Sequence, residues 1–508
     1  VSVIKISDYT THHVPNNSMN NAYAALMGRV YYVNTDGDTP PQPKPRVFDR
    51  FNRFYRSVLS YFPTKVGPVS LTEFLKRYTG RRLTIYTNAV NNIIRRGLGA
   101  ATPGIADIQL FVKAEKVGKS PDDAVGRIIS PRSPEYNVLL GRHISHLEHR
   151  MYDAIDKTFM ALRPDSVQAP TVAKGHNAEA RANILWRKWS SFRDPIGFGA
   201  DANRFDQHVS VDALKSTDDL YCAISSEPNK LRPLLQLRHN NSMTGRFKDG
   251  FIRCRKRGGR CSGDMDTAEG NIIIASGMNY SLVSRFPFRV EILDDGDDVY
   301  YIMERRHYAA FIAGFEQWFR DFGFTISVEE PVDVFERIEF CQSQPVWDGD
   351  KWIMVRKWPS SMFKDCVSLK PLDNPNVYAH WTRAIGECGL SLAGGIPIYS
   401  YFYNELVRRG EHGKAGWDDI TLESGFRMLA KGMHRKHSEP TPASRVSFYK
   451  AFGVTPSDQR LWEQSMPMRI PEYHETELTA RHIADEPPLN TKPFLVVGSW
   501  SDLSTTCA

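Results

Sequence analysis

Between two apolar strand-like runs, residues 289–303 set Asp294, Asp295, Asp297 and Asp298 around Gly296. A hairpin tip with four carboxylates repels itself unless a cation offsets the charge, which makes the turn a candidate metal site. A solvated Asp-Gly turn is the plain alternative, and Gly-Asp-Asp alone does not decide between them. Upstream, Asp201 and Asp206 bracket a turn that follows the apolar run 196–200. An Asp ending a buried strand suits metal coordination, and a second Asp round the turn could face a substrate. Between these two places lie Ser262, Gly263, Asp264, Asp266, Thr267 and Asn271, ahead of the apolar run 272–275. Ser-Gly reads as a flexible turn and the rest as a helix start, with Thr267 and Asn271 on one face. Helix capping by Ser262 or Asp264 is the structural alternative.

The elements that must hold these residues follow from periodicity. Short strand patterns at 288–293, 299–303, 324–328, 337–342 and 351–357 surround one helix pattern, 305–322. Helical patterns with basic faces precede them (48–61, 71–78), helices return after Pro359, and the turn-rich 35–46 reads as a linker or extended arm. That is an α+β arrangement. The 508 residues are 41% hydrophobic, 24% charged and 11% aromatic, which excludes a largely disordered chain. Net charge is +7, a mild bias toward anionic partners. Seven scattered cysteines argue against a disulfide framework or structural zinc and for a reducing compartment. No secretory signal opens the chain and no run could span a bilayer; the uncharged 388–404 reads as a buried helix-turn segment. The first residue is Val, so a fragment or the downstream part of a longer product is expected, with any membrane anchor upstream.

In this order, the three acidic and Ser-Gly elements resemble motifs A, B and C of viral RNA-dependent RNA polymerases, of the tombusvirus and carmovirus group. Residues 201–210 resemble motif A nearly letter for letter. Residues 113–116 with 127–137 resemble motif F, 322–329 motif D and 340–346 motif E, with weaker echoes at 389–397 and 444–458. Two departures stand out. Asp266 occupies a position where the group usually has Asn, adding a negative charge beside the nucleotide site. Ser327 stands where a lysine general acid would be expected, leaving the proton donor unassigned. Residues 1–100 match nothing in the group.

The resemblance implies a right-hand polymerase with a split βαβ (RRM-like) palm and largely helical fingers and thumb. It divides the chain into an N-terminal extension and fingers (1–188), palm with motif A (189–221), a fingers excursion (222–259), palm with motifs B to E (260–352), and thumb with a C-terminal tail (353–508). The implied activity is RNA-templated RNA synthesis from ribonucleoside triphosphates, replicating a positive-strand viral genome with de novo initiation. Two Mg²⁺ ions, replaceable by Mn²⁺, would be held by Asp201 and Asp297 with Asp298 assisting. Asp206, Thr267 and Asn271 would select ribose, and Ser262 and Gly263 would form a template or nucleotide loop. Lys113, Lys116, Arg127 and Arg132 would meet the triphosphate. Arg253, Arg255, Lys256, Arg257 and Arg260 would track RNA phosphates, a solvated basic hairpin being the alternative. Expected partners are template and nascent RNA, nucleotides, and an upstream replication protein or segment carrying the membrane anchor, at membrane-bound sites in the host cytoplasm. Rival readings are a catalytically silent RNA-binding replication scaffold and a reverse transcriptase. The intact Asp201, Asp297 and Asp298 set disfavours the first; Gly296 and the Asp206–Asn271 pair disfavour the second by resemblance.

Overall fold

Alternation dictates the sheet that carries the acidic residues. In Pro195–Ala202, Ile196, Phe198, Ala200 and Ala202 recur at every second position and are buried, the period of a pleated strand. The computed structural model describes residues 2–4, 6, 12–118, 126–414, 424–473, 479–480 and 495–498. In it, Pro195–Ala202 lies inside a four-stranded antiparallel sheet, between Ile326–Val328 and Asp298–Glu304, with Val290–Asp294 at the edge. The register sets Asp298 opposite Asp201, with Ser327 on the other side of Asp201. Phe198, Ala200, Val299, Tyr301 and Met303 join one core with the helix Thr267–Val283. Leu293, Tyr300 and Ile302 enter a second core with the helices Ala178–Trp189, Pro375–Ala393 and Tyr399–Arg409. Close packing on both sides leaves the sheet little freedom, so the carboxylates at its end are presented from a stiff platform.

A second, five-stranded sheet has the order Leu495–Gly498, Phe251–Arg257, Asn240–Arg246, Ile108–Val112, Ile128–Ile129. It is mixed, because Ile108–Val112 runs parallel to Asn240–Arg246. The α+β expectation therefore holds, with more strand than the sequence suggested. Among the described residues, no helix is long and apolar enough to cross a membrane, and Cys222, Cys254, Cys261, Cys341, Cys366 and Cys388 are free thiols. Residues 35–46 form no regular element until their last turn, and Lys44 ties this arm to Asp321 through backbone and side chain. The uncharged 388–404 is the buried turn between Pro375–Ala393 and Tyr399–Arg409.

Several boundaries need correction. The run 337–342 is not a strand: Phe335–Arg337 is a 3-10 turn, and Cys341 and Gln342 take φ of 49° and 56° before Ser343–Trp347 begins. Its apolar residues bury a turn in the second core rather than one face of a pleat. The helix expected at 305–322 is three pieces, Arg305–His307, Tyr308–Ile312 and Phe315–Asp321. The break falls at Gly314, whose φ of 76° ends a right-handed helix. The helix in 71–78 stops at Leu75, and Gly80–Arg96 follows as a longer one. The pattern 48–61 opens as a 3-10 turn, Val47–Phe51, before Asn52–Ser60.

Candidate active site

Where the two sheets face each other, a cavity of about 400 Å³ brings together Asp201, Asp206, Asn271 and Asp297 on one side with Lys113, Arg127 and Lys256 on the other. Residues more than 180 positions apart in the chain, Lys113 and Asp297, line the same space. A larger cavity of about 670 Å³ lies at Arg50, Arg53, Arg285 and Trp318; its only acid, Asp321, is already paired with Lys44 and Arg50. Of these two cavities, the first combines unneutralised acids with bases.

The four aspartates of the turn have separate fates. Asp294 is fully buried and accepts from the Gly296 N–H at 2.8 Å and the Ser276 hydroxyl at 2.9 Å. Burial nonetheless pushes its carboxyl up to about 7. Asp295 pairs with Lys174 (2.9 Å) and Arg181 (3.3 Å), which hold it below the usual range in spite of burial. Gly296 has φ of 102°, which an L side chain would strain, and this lets the chain reverse. Asp297 then opens to the cavity, whereas Asp298 accepts the Cys341 N–H at 2.6 Å. Burial chiefly, with repulsion from Asp201, Glu329 and Asp297, pushes Asp298 up to about 7. Among the described residues, Asp201 and Asp297 have neither hydrogen-bond nor ion-pair partners for their carboxylates. The Asp201 pKa is raised by burial and then by the Asp297 charge. The expected three-carboxylate ligand set does not form: among the described residues no group of three His, Cys, Asp or Glu is arranged to hold a metal. Asp298 is drawn off by the Cys341 amide, leaving the pair Asp201 and Asp297.

Asp206 and Asn271, paired by the resemblance, meet in the structure. Asn271 Nδ2 donates to Asp206 Oδ1 at 2.7 Å, across 65 positions of sequence. Thr267 does not join them; its hydroxyl donates to the Cys261 and Asp264 carbonyls, both at 2.9 Å, closing the loop before the helix. Neither Ser262 nor Asp264 caps that helix. Ser262 Oγ accepts from the Ser130 N–H at 3.0 Å, and Asp264 pairs with Arg132. Asp266, expected to add charge at the nucleotide site, is fully buried between Arg238 and Arg260. Against the effect of burial, Arg238 and then Arg260 hold its carboxyl far below the usual range. Its charge is neutralised inside the protein.

The basic residues divide likewise. Lys113 and Arg127 line the cavity and share Glu115, at 3.0 Å and 2.7 Å. Arg132 does not: its guanidinium has no exposure and is committed to Asp264, the Ala106 carbonyl and Asn241. Lys116 is buried away from the cavity, within electrostatic reach of Cys366. In Phe251–Arg257 the pleat turns Arg253, Arg255 and Arg257 to solvent, while Lys256 faces the cavity, where burial lowers its amine. Arg260 leaves the expected strip altogether, its side chain having no exposure beside Asp266. Ser327 Oγ accepts from the Asn203 amide at 2.9 Å. Arg29, Arg204 and Gln207 also line the cavity; Arg204 and Gln207 lie within 201–210 but were passed over for the aspartates there, and Arg29, in the π-helical turn Met27–Tyr31, lies in a stretch without a motif.

Comparison with known proteins bears on the family. Residues 2–468 match the family described as viral RNA dependent RNA polymerase, so the match takes in the first hundred residues, which carry no motif that could be named from the sequence. The chain belongs to this family. It is 40% identical over 460 residues to the RNA-directed RNA polymerase of Tobacco necrosis virus (strain A), covering 89% of this chain and 61% of that protein. The corresponding proteins of Melon necrotic spot virus and Turnip crinkle virus are 38% and 35% identical over 458 and 460 residues. Each match covers 89% of this chain, and 56% and 57% of those proteins. The chain thus spans little more than half the length of these relatives. In this member of the family, the loop 262–264 is stitched to residues 130–132 at Gly263. A Cβ there would lie 2.4 Å from Pro131 Cα and 2.8 Å from the Ser130 carbonyl oxygen, both backbone atoms that cannot swing aside. Gly263→Ala is therefore expected to destabilise the protein by about 1–3 kcal/mol, read as a lowered denaturation midpoint in urea.

Proposed function

We propose that this chain synthesises RNA on an RNA template, transferring nucleotidyl groups from ribonucleoside triphosphates during replication of a positive-strand RNA virus genome. The observation that carries the reading is the pair Asp201 and Asp297, without hydrogen-bond or ion-pair partners among the described residues and close enough to repel, in a cavity also lined by Lys113, Arg127 and Lys256. Two hard carboxylates without a counter-cation fit Mg²⁺ or Mn²⁺. Such ions, when bound, make the 3′-hydroxyl nucleophilic and neutralise the departing pyrophosphate. The protein's own part is positioning. Lys113, Arg127 and Lys256 meet the triphosphate, and Asp206 with Asn271 meets the ribose 2′-hydroxyl. On this reading the four-stranded sheet is the palm, the five-stranded sheet belongs to the fingers, and the helices after Pro359 form the thumb. Initiation is de novo, with the thumb supporting the first nucleotide; most of the C-terminal tail, the other expected support, lies outside the described residues. The membrane anchor belongs to an upstream segment or partner, placing synthesis at membranes in the host cytoplasm.

The test is incorporation of labelled ribonucleotides by purified protein on an unprimed RNA template with Mg²⁺. Template-length product that disappears on chelation and returns with added Mg²⁺ is expected. Absence of templated product sinks the proposal; product made only from deoxynucleotides assigns the chain to reverse transcription. An absolute need for an added primer overturns de novo initiation alone.

A further inference from the structure

Arg260 holds both halves of the Asp206–Asn271 pair. Its backbone N–H donates to the Asp206 carbonyl at 2.8 Å, and its Nε donates to Asn271 Oδ1 at 3.2 Å. The guanidinium is fixed from behind: Nη1 donates to Asp266 Oδ2 at 3.1 Å, and the other Asp266 oxygen accepts from Arg238, which also binds Asp218. None of the Arg260, Asp266 or Arg238 side chains has any exposure. Gly270 opens the passage, since a Cβ there would lie 2.3 Å from Arg260 Nη2 and 3.0 Å from Asp266 Oδ2.

An asparagine amide can present either its oxygen or its nitrogen to a neighbour. Arginine only donates and an ionised aspartate only accepts. With Arg260 on one side and Asp206 on the other, a single orientation satisfies both, the oxygen on Arg260 and the nitrogen on Asp206. That orientation leaves Asp206 Oδ2 as an acceptor and the second Nδ2 hydrogen as a donor, a matched pair for a hydroxyl that both donates and accepts. Resting on the polymerase reading above, we propose that Arg260 is a positioning residue for sugar recognition. It locks the Asn271 amide so that the site accepts ribose over deoxyribose, while Asp218, Arg238 and Asp266 anchor it.

The test compares kcat/KM for a ribonucleotide and its deoxy counterpart in wild-type, Arg260→Lys and Asp266→Asn proteins, with thermal melting as the fold control. An ammonium can keep the charge beside Asp266 but cannot hold Asp266 and Asn271 with separate prongs. Arg260→Lys is expected to lower the ribo-to-deoxy ratio roughly tenfold, mainly through the ribonucleotide KM, with deoxynucleotide use little changed. Asp266→Asn keeps the guanidinium, weakens its anchor, and should shift the ratio the same way by less; it also stands in if Arg260→Lys does not fold. A folded variant with an unchanged ratio, or equal losses on both substrates, overturns the inference and leaves the polymerase reading intact. A wild-type protein that incorporates no ribonucleotide overturns both.

Discussion

Asp297→Asn protein is expected to fold normally and to make almost no RNA. The substitution keeps the shape of the side chain and removes the charge that, with Asp201, gives the cavity its acidic wall. Losing one of two charges that organise a metal-assisted displacement costs about three orders of magnitude in turnover. Asp201→Asn should behave alike. Its carboxyl is already raised by burial and the nearby Asp297, so either change relieves repulsion, and the metal-free melting temperature should hold or rise. Asp298→Asn should be far milder in turnover, because the Cys341 N–H occupies that carboxylate and an amide oxygen can accept the same bond. Nucleotide incorporation and melting measured on the three variants check the ranking. Near-normal synthesis by folded Asp297→Asn would remove the assignment.

Arg238→Met should act strongly on stability, and by loosening the Asp266 anchor it should also move the ribo-to-deoxy ratio in the direction of Asp266→Asn. Arg238 is the most enclosed charge in the molecule's ionic chain, bound to Asp218 and Asp266 with no exposure of its own. Its removal leaves Asp266 to Arg260 alone and Asp218 to His239 alone, two buried carboxylates that have each lost one of two partners. Breaking such an arrangement from one side costs about 3–5 kcal/mol, a large part of a total that is typically about 5–15. Urea denaturation should show the loss as a lowered midpoint. Adding Asp218→Asn should recover part of it, because much of the penalty is the stranded charge. If Arg238→Met leaves the midpoint unmoved, the chain is not what holds this region.

The local chemistry was legible and the long-range partners were not. Asp201, Asp206, Asn271 and Asp297 could be singled out because each sits in a turn or at a helix start whose residues announce it, and the structure gathers all four. Arg132 and Arg260 looked equally available in sequence. Their burial is decided by Asp264, 132 positions from Arg132, and by Asp266 on a helix whose own burial depends on the whole core. Charge near a site does not reveal whether it faces the ligand or another charge. Lys256 shows the converse: once 251–257 is known to be a strand, period two alone separates it from Arg255 and Arg257. The misplaced strand at 337–342 failed because short apolar runs fit a buried turn as well as a pleat.

The stitching between residues 130–132 and 262–264 has a mechanical consequence. A backbone bridge from Pro131 to Gly263, the Ser130 amide on Ser262 and the Arg132–Asp264 pair fasten two segments at three successive positions. Three fasteners in a row resist both sliding and hinging, so the pair behaves as one strut. Arg127 stands a few residues before one end of that strut, and Asn271 a few residues beyond the other. The segments that carry Arg127 and Asn271 are therefore braced against each other, and the strut fixes the spacing between the two ends of the cavity.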